Sequence, residues 1–126
     1  MRSEAALEPR EDVEQICLFR WAAYQTGKYP MLAAMFHIPN GGKRLKAEAV
    51  RLKAMGVKPG VSDIFLPWPA GGKHGLWIEL KRVTLGRLTD EERDWLDTMR
   101  AWGYAAECCH GWEAATKVIL DYINGE

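Results

Sequence analysis

The sequence predicts a mixed α/β domain built on a sheet of about four strands. Three observations lead there: segments of helical periodicity alternate with short β-rich runs, glycines stand where helices should stop, and two strand-like runs flank a glycine-rich loop. The order reads helix, strand, helix, strand, strand, helix, strand, helix.

Each element carries its own signal. In EDVEQICLFRWAAYQ, Val13, Ile16, Cys17 and Tyr24 fall on one helical stripe and Glu8 and Pro9 are start signals, so the first helix is expected from about Pro9 to Gln25. MFHIP is a short strand that runs into the turn Asn40, Gly41, Gly42. A basic helix follows to about Met55, closed by Gly56. Strands at about Ser62 to Trp68 and about Leu76 to Arg82 flank PAGGKHG as the arms of a hairpin. A helix from about Asp90 to Trp102, closed by Gly103, leads to the strand YAAECC and a last helix from about Trp112 to Ile123.

Composition limits the function classes. With 126 residues, 48% hydrophobic and six Trp, residues 1–126 suit one domain with a real core and are too short for two. No apolar run approaches the roughly 18 to 20 residues of a membrane span, and MRSEAALEPRED lacks the layout of a signal peptide. A soluble, intracellular protein is expected. The three cysteines are an odd count, and the neighbours Cys108 and Cys109 point to opposite faces of a strand, which disfavours a disulfide framework or a zinc site. Reduced, buried thiols are expected instead.

The formal net charge is zero, but its distribution is uneven. Lys43 to Lys58 hold six basic residues and one acid, Glu48, whereas Thr89 to Asp97 hold five acids and one base. A basic helix on a neutral body can meet phosphate, although a solvated helix face explains it as simply.

The chemistry concentrates in GVSDIFLPWPAGGKHGLWIELKR. Along a strand, Glu79 and Lys81 share a face with Trp77, while Ile78 and Leu80 point into the core. In a hairpin symmetric about Gly71, Asp63 lies across from Glu79, their Cβ atoms about 4.5 to 5.5 Å apart, and like charges so placed are destabilising. A shared proton, the ammonium of Lys81 or a bound divalent cation would neutralise them. Mg²⁺ and Mn²⁺ favour oxygen ligands and are commonly held by one or two carboxylates, so the pair reads as a metal seat. Lys81, about 6 to 7 Å along the same face from Glu79, is placed to orient an attacking water and to meet charge developing on a phosphate. A Glu-x-Lys triplet alone is common and a solvated strand face explains it. The mirrored Asp63 and the apolar setting of both strands strengthen the site reading.

The run from Lys58 through Pro59, Gly60, Val61, Ser62 and Asp63 to Leu66, followed by Trp77, Ile78, Glu79, Leu80 and Lys81, resembles the VRR-NUC branch of the PD-(D/E)xK nucleases. Glu14 and Gln15, the turn from Ile38 to Gly42, Leu88 and Thr89, Trp95 and Leu96, and Gly103 and Tyr104 follow in matching order, so the resemblance spans about Glu11 to Tyr122. It implies a restriction-endonuclease-like core and Mg²⁺- or Mn²⁺-dependent endonucleolytic cleavage of DNA phosphodiesters. It further implies branched substrates such as flaps and four-way junctions, a homodimer, and a cytoplasmic setting in a bacterial or phage-infected cell. By position, Asp63 and Glu79 match metal ligands, the backbone carbonyl of Leu80 a further ligand, Lys81 the catalytic lysine, and Glu14 the acid of the first helix.

Glu14 also lies one turn from Leu18 and two turns from Trp21, at the margin of the expected buried stripe, where a carboxylate is partly desolvated unless paired or metal-bound. A surface acid favoured by the helix dipole is the bland alternative. Glu92 departs from the family, which usually carries Gln there. A capping box with Thr89 explains Glu92 completely, and an added carboxylate at the site would alter metal preference. Asn40, Gly41 and Gly42 with Lys43 and Arg44 are expected to contact the DNA backbone, since bases at a helix start oppose the usual dipole preference. His37, His74 and His110 show no mutual spacing for catalysis, and Trp68 and Trp77 read as packing groups. A DNA-binding module without chemistry is the alternative to the nuclease. A hydrolase of small phosphoesters is disfavoured, because nothing in the sequence suggests an enclosed pocket.

Overall fold

The computed structural model describes residues 8–39 and 45–125. Its order is α1 (Glu11–Gln25), a short 3-10 helix (Pro30–Ala34), β1 (Phe36–His37), α2 (Lys46–Ala54), β2 (Ile64–Leu66), β3 (Leu76–Lys81), α3 (Asp90–Ala101), β4 (Ala105–His110) and α4 (Trp112–Asn124). The strands form one four-stranded sheet in the order β1-β2-β3-β4. The first two pairings are antiparallel, and β3 with β4 is parallel. A parallel pair needs a crossover, which α3 supplies. Among the described residues no helix is long and apolar enough to cross a membrane.

The hairpin turns through Gly71 (φ +57°) and Gly72 (φ +79°), a left-handed pair that suits a two-residue turn matched to strand twist. The bridge Ala70↔Lys73 closes that turn, whereas the strands pair Ile64↔Ile78 and Leu66↔Leu76, symmetric about Gly71 as expected. The segment between Leu66 and Ala70 absorbs the one-residue offset. β2 is shorter than expected: Pro67 cannot donate to a ladder, and Ser62 and Asp63 fall outside the strand.

Helices cover both faces. Leu18 and Ala22 of α1, Ala115 and Ile119 of α4, and Leu76, Ile78 and Leu80 of β3 form the main core. Burying each of its large side chains contributes about 1.5 to 3 kcal/mol. On the opposite face Leu96 and Met99 of α3 meet Ala106, Trp77 and Cys108. Cys108 and Cys109 do point to opposite faces, and the cysteines at 17, 108 and 109 are free thiols.

The stripe expected on α1 is corrected. Val13, Ile16 and Tyr24 are 42%, 52% and 88% exposed, and the buried positions are Glu14, Leu18 and Ala22. Apolar side chains surround this helix, so periodicity alone could not choose the inward face. Glu8 and Pro9 do not cap it either: the N-cap is Arg10, without a side-chain bond. They tie the chain to the far end of β3 instead. Arg82 donates to the Pro9 carbonyl at 3.1 Å and the Glu8 carbonyl at 3.0 Å, and the Glu8 carboxylate accepts from the Thr84 N–H at 3.1 Å and from the Thr84 hydroxyl.

Candidate active site

The Ile64↔Ile78 register, carried one residue outward, sets Asp63 opposite Glu79. Each carboxylate reaches the other's strand. The Leu80 N–H donates to Asp63 Oδ2 at 2.8 Å, and the Asp63 N–H donates to Glu79 Oε2 at 3.2 Å. The Asp63 carbonyl accepts from the Ile38 N–H at 2.7 Å and from His37 Nδ1 at 2.8 Å. Asp63 is thus pinned between β1 and β3, a role for His37 that its spacing in the sequence did not announce.

Lys81, only 7% exposed, lies on the same face of β3 as Glu79. Its Nζ is 2.9 Å from Glu92 Oε1 and 3.9 Å from Glu79 Oε1. Glu92 also closes the capping box of α3: its N–H donates to Thr89 Oγ1 at 3.1 Å and its Oε1 accepts the Thr89 N–H at 2.8 Å. Both accounts of Glu92 hold at once, because the capping geometry aims the carboxylate at Lys81.

Burial and the neighbouring carboxylates of Glu92 and Asp63 push Glu79 well above the ordinary carboxylic-acid range. Burial alone would raise Glu92 too, but hydrogen bonds from Glu79, the Thr89 N–H and Lys81 outweigh it and hold Glu92 down to about 2. Burial likewise works against the Lys81 ammonium, and its bond to Glu92 with the field of Glu79 more than restores it. Of the two carboxyls, Glu79 is the one pushed toward protonation and Glu92 the one pushed toward ionisation.

The other expected residues separate. Leu80 buries its side chain in the core and leaves its backbone beside Asp63. Asn40, Gly41, Gly42, Lys43 and Arg44 lie outside the described residues. Glu14 is 3% exposed, buried deeper than the margin position expected, and its Oε1 accepts the Trp112 N–H at 3.3 Å. It thereby meets the start of α4, where Gly111 offers no side-chain cap. Glu11, exposed one turn earlier, has a carboxyl that desolvation raises, with Lys81, Asp63 and Glu92 as charged neighbours. Glu11 and Glu14 thus stand on neighbouring turns of α1. His110 ends β4. It pairs with Lys81 across β3 and β4, and its Nδ1 donates to the Arg82 carbonyl at 2.9 Å. That juxtaposition depends on strand order, which the sequence does not display.

A cleft of about 230 Å³ opens over the pair, lined by Pro59, Gly60, Val61, Asp63, Glu79, Thr89, Glu91 and Glu92. Among the described residues no three Asp, Glu, His or Cys side chains already converge as a ready metal cage. Asp63, Glu79 and the Leu80 backbone form an all-oxygen donor set, which fits a hard cation that completes its shell with water and phosphate. Backbone N–H groups hold both carboxylates in place, that of Leu80 on half-buried Asp63 and that of Asp63 on buried Glu79, a second point in favour of that fit.

An acidic pair and a lysine at the open end of a hairpin, in a mixed sheet covered by helices, define an α/β nuclease-like fold. The VRR-NUC domain model matches residues 8–113, and the chain belongs to the VRR-NUC family of PD-(D/E)xK nucleases. It is therefore a nuclease-type DNA-processing module. A solved VRR-NUC domain protein is 29% identical and superposes with a TM-score of 0.81, over 92% of this chain and 89% of its own. No curated protein matches.

Proposed function

We propose that this chain is a metal-dependent DNA endonuclease that hydrolyses phosphodiester bonds, selective for branched DNA such as four-way junctions or flaps. The observation that carries the reading is the set of Asp63, one residue before β2, opposite Glu79 with Lys81 on the same face of β3, at the edge of a cleft. Asp63, Glu79 and the Leu80 carbonyl would hold Mg²⁺ or Mn²⁺. When bound, the ion supplies a Lewis acid and lowers the pKa of a water.

The protein's own groups do the rest. Asp63, fixed by the Leu80 N–H and by β1, cannot swing away from the phosphate. Lys81 orients the water and meets negative charge that develops on the phosphate oxygen. Glu92 keeps the ammonium charged and aimed. Asn40 to Arg44 contact the DNA backbone. Two copies would cut symmetric strands of a junction, and the exposed side chains of Val13, Ile16 and Tyr24 on α1 offer apolar surface for pairing. The protein acts in the cytoplasm of a bacterial or phage-infected cell.

A DNA-binding module without chemistry is the second reading, favoured by one observation: Glu92 already occupies the Lys81 ammonium at 2.9 Å. One experiment separates the two. Labelled four-way junction, flap and linear duplex are incubated with Mg²⁺, Mn²⁺ or EDTA, wild type beside Asp63→Asn. Metal-dependent cutting that the variant loses supports the nuclease, and cutting confined to one shape identifies the substrate. Binding without cutting under every metal supports the module.

A further inference from the structure

α2 is the one described helix that buries none of its residues, and it packs against no other helix or strand of the described chain. A nine-residue helix gains little from propensity alone, so an element of this length normally earns its stability from a packed face. Only Leu52 is half-buried; Lys46, Val50, Arg51 and Lys53 are all exposed. Lys46 and Lys53 stand two turns apart on one face with Val50 between them, and Arg51 lies on a neighbouring face. Among the described residues none of these three cations forms an ion pair with an acid.

The wall of the cleft that α3 forms has the reverse charge. Glu91 and Glu92 line the cleft itself, and Glu91 and Asp94 line an adjoining cavity of about 250 Å³ shared with Pro59, Trp95 and Trp102. The chain leaving α2 runs directly into the cleft wall at Pro59 and Gly60, where Gly60 seats against the Glu91 backbone. A polyanion that reaches Asp63 and Glu79 is therefore repelled by the acids of α3 and attracted by the exposed cations of α2.

We propose that α2 is an arm that grips the duplex: Lys46, Arg51 and Lys53 neutralise backbone phosphates, and the acids of α3 disfavour DNA along that helix. The inference rests on the nuclease reading and adds the path of the substrate. Because the contacts are to phosphate, they set affinity and orientation and not base sequence.

The test is binding of labelled four-way junction and duplex in EDTA over a range of salt, comparing wild type with Lys46→Ala/Arg51→Ala/Lys53→Ala. The triple variant should bind at least tenfold more weakly at low salt, and its log K against log salt slope should be shallower by about 0.9 per lost contact. Its melting temperature should stay within a few degrees of wild type, since the helix buries nothing. Glu91→Gln/Asp94→Asn should bind as well as wild type or better. A folded triple variant with wild-type affinity and slope would overturn the proposal. So would a change in the protein's own sedimentation with DNA binding intact, which would make α2 a protein-protein face. If wild type neither binds nor cuts any DNA, the nuclease reading itself falls, an outcome distinct from both.

Discussion

Lys81 Nζ lies 2.9 Å from Glu92 Oε1, and the same oxygen accepts the Thr89 N–H at 2.8 Å. One carboxylate thus caps α3 and holds the buried ammonium, and substitution separates the two jobs. Glu92→Gln retains a side chain that can close a capping box but removes the charge. Lys81, whose pKa Glu92 raises, should then lose its proton at lower pH, so the alkaline limb of the cleavage-pH profile moves to lower pH. Thr89→Ala should instead cost about 1 kcal/mol of stability and leave that limb in place. Thermal melts and pH-rate profiles on both variants check the pair.

Asp63→Asn keeps an oxygen that can accept the Leu80 N–H, so the hairpin should fold as before. Cleavage should fall by at least about a hundredfold, the scale of losing one group that stabilises the transition state. Lys81→Ala should have a loss of the same scale. Circular dichroism establishes the fold, and full activity in either purified variant would remove that residue from the mechanism.

Glu11 and Glu14 make opposite predictions although they sit one turn apart. Glu14→Ala strands the half-buried Trp112 N–H and should cost about 1 to 3 kcal/mol, and Glu14→Gln, which still offers an oxygen, should recover most of it. Glu11→Gln should leave the melting temperature unchanged, because Glu11 is exposed, and should lower cleavage through its charged neighbours. Urea unfolding and cleavage rates on the three variants decide which acid of α1 serves the site.

Most of the scaffold was legible because local chemistry wrote it. The glycines of the hairpin and the mirrored spacing of Asp63 and Glu79 fixed the strand register, and Thr89 with Glu92 announced the start of α3. Misreadings arose where a distant contact overrode a local pattern. Glu14 occupies the middle of the buried stripe of α1 because α4, nearly a hundred residues later, presents an uncapped N–H. His110 meets Lys81 only because β4 returns parallel to β3. No periodicity records either event.

Gly60 has φ +84°, and a Cβ added there would lie 2.4 Å from the Glu91 carbonyl oxygen. Gly60→Ala must therefore move the start of α3, and with it Glu92 and the hold on Lys81. A loss of about 1 to 3 kcal/mol, with a large loss of cleavage, is expected. Gly56 shares a positive φ of +104° but has open space around it, so Gly56→Ala should cost only backbone strain and leave cleavage unchanged. Measuring both distinguishes strain from displacement of the site.

Cys109 reports on the core beneath the site. Burial, with smaller contributions from Cys108 and Glu107, pushes its thiol from 9.0 up to about 12. In the unfolded chain the thiol ionises near its ordinary value, whereas in the fold it stays protonated, so between about pH 9 and 12 the native state binds more protons. Stability contributed this way is complete below pH 9 and declines as pH rises, by at most about 1.4 kcal/mol per pH unit. Cys109→Ala removes that ionisation. Urea unfolding at pH 8, 9.5 and 10.5 should show wild type losing stability more steeply than the variant, after the constant cost of the smaller side chain is subtracted. Parallel curves would mean that the thiol ionises as readily in the fold as outside it, and that the sheet beneath Glu79 and Lys81 admits water.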